Sequence, residues 1–177
     1  MKKTIIAGVI AIVLVASIGM AMGAGNGKGK PAPFTATINT MVTYPGTITL
    51  TDDGLLKVRD QIWNGMVDSI TGLPDGDIIL KHDAMINLTS CTGTYHATFV
   101  ITTTNGIVYG KLRGKITNLT YMGEYPWIVF TSGESDGSVT IQGGTGDWAG
   151  IQGVGTYHEE YVAPLATTTT ITGQTHQ

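Results

Sequence analysis

The chain has 177 residues, a formal net charge of −3 and one cysteine, and 42% of its residues are hydrophobic. This length predicts one domain that buries its own hydrophobic core. A single cysteine excludes an internal disulfide, and the absence of a basic stripe argues against a nucleic-acid-binding protein.

Residues 1–23 have the pattern of a secretory signal peptide. Lys2 and Lys3 precede a long uncharged, largely apolar stretch, and the small residues Ala21 and Gly23 are spaced for cleavage after Gly23. Cleavage there leaves eight basic and thirteen acidic residues, a net charge of −5. The sequence therefore predicts a secreted or otherwise extracytoplasmic protein.

An uncleaved N-terminal segment is the alternative for residues 1–23, because an apolar stretch of roughly 20 residues can span a bilayer. The protein would then be anchored at the cell surface, and this segment would be its only contact with a membrane. Residues 24–33 have the glycine, lysine and proline content of a flexible linker.

A β-rich domain is predicted over residues 34–173, with a short tail at 174–177. Apolar and polar residues alternate with the period of two that is typical of strands. One face of the first strand is formed by Phe34, Ala36, Ile38, Thr40 and Val42. Asp53-Gly54 and Asn105-Gly106 are typical hairpin turns.

Residues 60–70 are compatible with two structures. Ile62, Trp63, Met66, Val67 and Ile70 also have the spacing of a helical face. A glycine in the middle of this segment disfavours a helix, so a strand is the preferred interpretation and a short helix the alternative.

The middle strands have clear faces. Tyr95, Ala97, Phe99 and Ile101 share one face. In the strand after the Asn105-Gly106 turn, Val108, Leu112 and Ile116 lie opposite Lys111, Arg113 and Lys115. Short strands separated by turns every 8 to 12 residues predict a sandwich or a barrel.

The stretch from Ile141 to Tyr157 holds six glycines. Gly143 and Gly144 are predicted to adopt positive φ in a tight turn, and Trp148 to pack beneath it. The predicted turn consists of Gly143, Gly144, Thr145, Gly146, Trp148 and Gly153. These glycines are expected to bend and close the sheet.

A strand ending in GGTG, followed by an aromatic residue, a small residue and a glycine, resembles the signature of the allene oxide cyclase and dirigent barrels. The matching residues are Ile141, Gly143, Gly144, Thr145, Gly146, Trp148, Ala149 and Gly153. Trp148 stands where that family usually has phenylalanine. The resemblance implies a single closed antiparallel β-barrel of about eight strands, calycin-like, around an apolar lumen.

Members of that family either cyclise a reactive fatty-acid epoxide or hold phenoxy radicals during coupling. Their catalytic residues lie outside the matching motif, so the resemblance assigns no catalytic residue to this chain. Known members also suggest that a homo-oligomer is possible.

Aromatic residues are the candidates for contact with a ligand in the lumen. The predicted ligand-binding residues are Tyr95, Phe99, Tyr109, Trp127 and Tyr157. Phe99, Ile101, Phe130 and Tyr157 would fill much of a narrow lumen, while Gly110, Gly114, Gly153 and Gly155 would leave space. We expect a cavity of at least a few hundred cubic ångströms.

Other candidate sites have simpler explanations. His96, His158 and Glu160 have the ligand types of a zinc site, but their spacing does not require one, so no metal is predicted. Asp75 and Asp77 lack further oxygen ligands for calcium. We expect a solvated outer face, rather than a binding site for an anionic head group, at Lys111, Arg113 and Lys115. Cys91 is expected as a buried small residue, and Asn87 and Asn118 begin possible glycosylation sequons.

Three functions are compatible with these patterns. The first is an exported barrel that binds a small apolar or amphipathic molecule in its lumen, with no cofactor and no nucleic acid partner. The second is a cyclase, isomerase or dirigent-type enzyme that steers a reactive intermediate by shape. The third is a structural cell-surface protein with a filled barrel.

Overall fold

The computed structural model describes residues 30–162 and 165–177, and the described part is almost entirely β-structure. The strands are β1 (Ala32–Tyr44), β2 (Thr47–Leu50), β3 (Leu55–Thr71), β4 (Gly76–Asn87), β5 (Thr92–Thr103), β6 (Gly106–Met122), β7 (Val129–Gly144), β8 (Gln152–Val162) and β9 (Ala166–His176). The predicted signal peptide and residues 24–29 of the linker lie outside the described residues. In the described part, no helix has the length and apolar character needed to cross a membrane.

Eight of the strands form a closed antiparallel barrel. Each strand from β3 to β9 pairs with the next along the chain, and β1 pairs with both β9 and β3. The prediction of an all-β, eight-stranded antiparallel barrel is therefore confirmed. The barrel begins at Ala32 and ends at His176, which extends it into the predicted linker and tail.

β2 lies outside this barrel. It continues the direction of β1 after the break at Pro45 and Gly46 and pairs with the first residues of β3. β3 therefore changes partner along its length. The change coincides with a bulge between Val58 and Gln61, in which Asp60 adopts a φ of 54°.

Residues 60–70 belong to β3, which confirms the strand interpretation. Gln61, Trp63 and Val67 are buried toward the interior, while Met66 and Ile70 are exposed. This segment also fitted a helical spacing because apolar residues, Met66 and Ile70, occupy the outer face of the strand, where the apolar–polar alternation would place polar residues.

One end of the barrel is filled by apolar side chains. We call it the closed end; it carries the β3–β4, β5–β6 and β7–β8 connections. Its fully buried side chains include Phe34, Val67, Ile78, Ile101, Val108 and Ile141. We call the opposite end, where β2 lies, the open end.

Aromatic rings occupy the space above two interior glycines. A Cβ on Gly110 would lie 2.6 Å from the ring of Phe99, and one on Gly114 would lie 2.1 Å from the hydroxyl of Tyr157. The expectation that these glycines leave open space was therefore wrong. The rings come from strands β5 and β8, which flank β6 and β7 and reach over the bare backbone.

The glycine-rich stretch closes the barrel differently from the prediction. Gly143 and Gly144 are strand residues without positive φ, whereas Gly146 has a φ of 62° and begins a short 3-10 helix that ends at Trp148. Trp148 is half-buried against the core of the closed end. Thr145 Oγ1 accepts a hydrogen bond from the backbone N–H of Ile107 in the adjacent hairpin, at 3.3 Å.

The remaining glycine of the predicted turn, Gly153, is buried in β8 opposite Ile141. The neighbouring Gly155 lies directly opposite Gly173 of β9, and a Cβ there would meet the backbone of that strand. These two positions are therefore glycine because of close packing rather than because of a turn.

Gly144 is required by space. A Cβ there would lie 2.5 Å from the carbonyl oxygen of Trp148 and 2.6 Å from that of Ile107. We expect Gly144→Ala to lower the free energy of unfolding by about 2 kcal/mol, because both contacts are with backbone. Urea denaturation measures this, and Gln142→Ala, at an exposed position of the same strand, should stay within about 0.5 kcal/mol. Equal effects of the two substitutions would contradict the packing described here.

Candidate functional site

A cavity of about 450 Å³ occupies the open end of the barrel. This volume confirms the prediction of a cavity of a few hundred cubic ångströms, the usual size of a small-molecule site. Each of the nine described strands contributes at least one residue to its wall, including the short strand β2. The barrel is therefore not filled along its whole length.

The walls of the cavity are mostly apolar. A second group of buried residues lies at the open end, separate from the core of the closed end, and consists of Leu56, Val58, Ala84, Ile86 and Leu119. The cavity lies between the two groups, and residues of both line it. An apolar body would be desolvated on almost all sides in this position.

The amide oxygen of Gln61 organises the polar floor of the cavity. It accepts a hydrogen bond from Trp63 Nε1 at 2.8 Å, and His82 Nδ1 lies 2.8 Å from the same atom. Because an amide oxygen only accepts, His82 Nδ1 must carry the proton. The indole N–H also fixes the orientation of the Gln61 amide, because the NH₂ group of Gln61 is itself a donor and could not face the indole N–H.

His82 is consequently a neutral ring with its free lone pair on Nε2. Burial lowers the pKa of His82 to about 4, and only the nearby Asp83 carboxylate opposes this shift. Nε2 is buried and has no hydrogen-bond partner among the described residues. The ring lies 4.6 Å from that of Tyr95, measured between centroids.

Two buried tyrosines, Tyr95 and Tyr157, lie beside the polar floor with their ring centroids 5.9 Å apart. Burial raises the pKa of both Tyr95 and Tyr157, and the Tyr157 hydroxyl is hydrogen-bonded to Ser135 Oγ at 2.9 Å. Tyr95 lines the cavity and makes no side-chain hydrogen bond within the described chain. Its hydroxyl therefore stays protonated at neutral pH and is available to a ligand.

Glu159 is the carboxyl group of this interior. It lies on the inward face of β8 between Tyr157 and Tyr161, and Thr169 Oγ1 donates a hydrogen bond to its Oε2 at 3.0 Å. Burial raises the pKa of Glu159 to about 7, against the opposing effects of Thr169 and His158. Near neutral pH the group can therefore either hold or release a proton.

Exposed apolar side chains surround the mouth of the cavity. Ile48, Val129 and Leu165 are exposed and also line the cavity, so the cavity reaches the surface there. Trp127 and Tyr125 lie in the β6–β7 loop beside them, and Trp127 is 80% exposed. An apolar molecule would meet a largely apolar path from the surface to the interior.

The predicted ligand-binding residues are divided between several places. Tyr95 lines the cavity, while Phe99 and Tyr157 are buried in the packed core, outside the cavity wall. Tyr109 faces outward over Gly143 and is 37% exposed. Trp127 lies in the loop at the mouth and does not line the cavity. The structure thus brings only Tyr95 of this set to the cavity wall.

The remaining candidates lie on the outer surface or in turns. His158 Nδ1 pairs with Asp136 at 2.8 Å and its Nε2 lies 3.6 Å from Glu160, which raises the pKa of His158 chiefly through the Asp136 hydrogen bond. His96 is exposed on β5, well separated along the sheet. The described residues contain no cluster of three His, Cys, Asp or Glu side chains that could hold a metal ion.

The other charged candidates and Cys91 lie on the outer wall or in turns. Lys111, Arg113 and Lys115 alternate with inward residues of β6 and lie on the outer wall. Asp75 accepts a hydrogen bond from the Ser69 backbone, and Cys91 is half-buried in the β4–β5 turn.

The two sequon asparagines also lie in the described part. Asn87 Oδ1 accepts hydrogen bonds from the backbone of Thr89 and Ser90 in the β4–β5 turn. Asn118 is exposed and donates to Glu134 at 2.9 Å.

Three polar residues of the floor were missed from the sequence: Gln61, His82 and Glu159. His82 and Glu159 have a usable signal. His82 shares strand parity with Ile78, Leu80, Ala84 and Ile86, and Glu159 shares it with Tyr157 and Tyr161. A polar residue that takes the place of an apolar one in an inward series is a candidate for the interior.

Comparisons with known proteins assign no family. No family model matches the chain, and no curated protein has a significantly similar sequence.

The titration of Glu159 predicts an unusual pH dependence of stability. The folded protein holds this proton more tightly than the unfolded chain, so stability falls as the pH rises from the ordinary carboxyl pKa of 4.5 to about 7. Glu159→Gln removes this loss. We expect its advantage over the parent protein to grow by about 3 kcal/mol between acidic and mildly alkaline pH.

Urea denaturation of the two proteins across this pH range measures the difference between their free energies of unfolding. The opposite titration of His82 is common to both proteins and therefore cancels in this difference. Glu160→Gln, on the outward face of the same strand, should change by less than about 1 kcal/mol. A difference between Glu159→Gln and the parent that does not vary with pH would contradict the burial of this carboxyl group.

Proposed function

We propose that the protein binds a small, mostly apolar molecule in the cavity at the open end of the barrel. The observation that carries this proposal is a cavity of about 450 Å³ in a barrel whose other end is filled with apolar side chains. Elsewhere in the barrel, aromatic rings cover the bare backbone of interior glycines. Large side chains of the same kind could have filled the open end as well. The empty volume is therefore a feature of the fold rather than poor packing.

Polar groups at one depth of the cavity would orient the ligand. Tyr95 on β5, Glu159 on β8 and the neutral ring of His82 on β4 all line this cavity. A few placed polar groups in an apolar wall are typical of small-molecule sites. The ligand would thus have an apolar body toward the mouth and a polar group at the floor.

We further propose that this binding takes place outside the cytoplasm, because residues 1–23 have the pattern of a signal peptide. The resemblance of the GGTG motif to the allene oxide cyclase and dirigent barrels supports the same interpretation, since those barrels also enclose an apolar lumen. Association of several copies of the chain is a separate proposal, and ligand binding in this cavity does not depend on it.

A second candidate function is an isomerase or cyclase. The observation that favours it is a carboxyl group with a pKa of about 7 beside a protonated tyrosine and a neutral histidine. Groups with such perturbed pKa values, placed in a cavity, are suited to proton transfer. Turnover of a reactive fatty-acid epoxide with a stereochemical excess over the spontaneous product, lost in Glu159→Gln, would support the enzyme.

Binding is tested with a neutral fluorescent probe such as N-phenyl-1-naphthylamine. We expect its emission to rise on binding to the parent protein and to fall when an apolar competitor is added. Ala84→Phe places a ring in the cavity, whereas Met85→Phe places the same ring on the exposed face of β4. We expect Ala84→Phe to weaken probe binding at least tenfold and Met85→Phe to leave it unchanged.

Thermal unfolding of both variants checks that each remains folded. Equal probe binding by a folded Ala84→Phe variant and the parent would show that the probe binds elsewhere, and the proposal for this cavity would then fail.

A further inference from the structure

The cavity wall combines a half-buried carboxyl group with aromatic rings, and the histidine in it, His82, is neutral. Of the described residues that line it, none is lysine or arginine. Glu159 takes part in no ion pair within the described chain, and its one hydrogen-bond partner is the neutral hydroxyl of Thr169. When this carboxyl group ionises, only the outward-facing His158, which already pairs with Asp136, opposes its charge.

Aromatic rings lie along the same cavity. Trp63 and Tyr161 pack edge to face at 6.2 Å between centroids, and Tyr161 packs in the same way against Phe130 at 6.5 Å. Tyr95, on β5, adds a further ring to the cavity wall. The faces of such rings attract organic cations, and aromatic cages are a common means of binding quaternary ammonium groups.

An anionic ligand would find no counter-ion in this cavity. A carboxylate head at the floor would have to lose its water beside Glu159, where like charges repel. The other acidic residue of the lining, Glu134, is bound through its carboxylate to Asn118. A weakly hydrated cation, by contrast, would supply the missing positive charge.

Resting on the proposed function, we propose that the ligand is an organic ammonium ion: an apolar molecule whose protonated or quaternary nitrogen pairs with the Glu159 carboxylate among the rings of Trp63, Tyr95 and Tyr161. The net charge of the chain, −3, would also favour the approach of a cation. Glu159 is then the residue that determines specificity, and the apolar walls bind the rest of the molecule.

A matched series of ligands with one alkyl chain tests this proposal. Octyltrimethylammonium, 1-octanol and octanoate are compared as competitors of N-phenyl-1-naphthylamine on the full chain, at concentrations below micelle formation. We expect octyltrimethylammonium to compete at least tenfold more strongly than octanoate. Glu159→Gln should remove at least tenfold of the ammonium affinity and leave 1-octanol unchanged.

Two further variants control the result. Glu160→Gln removes a carboxyl group from the outer face of β8 and should leave the order of the three ligands unchanged. Tyr161→Leu removes one ring and should weaken octyltrimethylammonium more than 1-octanol. Retained 1-octanol binding shows that each variant keeps a folded cavity.

The possible failures are distinguishable. If the probe binds but octanoate competes as strongly as octyltrimethylammonium, or if Glu159→Gln leaves the ammonium affinity unchanged, the ammonium proposal is overturned and the binding function stands. Preference for octanoate would favour the fatty-acid epoxide as substrate. If neither the probe nor any of the three ligands binds, both proposals fail.

Discussion

The pairing of β1 on both of its edges is the constraint on which the rest of the structure depends. β1 joins β9 over ten residue pairs, from Ala32 to Met41, and joins β3 on its other edge. This closes the sheet and separates an inner from an outer face for every strand. Without closure, the residues that now face a common interior would lie on one side of an open sheet, and no enclosed cavity could form.

The two ends of the barrel differ because their inward residues differ. At the closed end, aliphatic side chains and rings that cover glycines fill the interior. At the open end, β2, β3 and β4 extend past the start of β9, and the interior holds polar groups that cannot pack like hydrocarbon. Their hydrogen bonds and the loss of water around Glu159 and His82 give the floor its chemistry.

The fold could largely be predicted from the sequence because strand alternation and hairpin turns are local properties. The Asn105-Gly106 turn and the inward series of β5 are examples. The conformation of Gly143 and Gly144 could not be predicted, since glycine is required by the Tyr109 ring at the first position and by the backbone of Ile107 and Trp148 at the second, rather than by their own φ.

The candidate site was less predictable for the same reason. Aromatic content singled out Tyr109 and Trp127, which lie outside the cavity, and Tyr95, which lines it. Gln61, His82 and Glu159 acquire their properties only when three strands bring them to the same cavity. Of the strands the structure describes, β2 alone pairs on a single edge along its whole length, and it is four residues long. Intermolecular strand addition, the usual route to aggregation of β-rich proteins, therefore finds little unpaired edge to start from, and β2 offers it beside the mouth of the cavity.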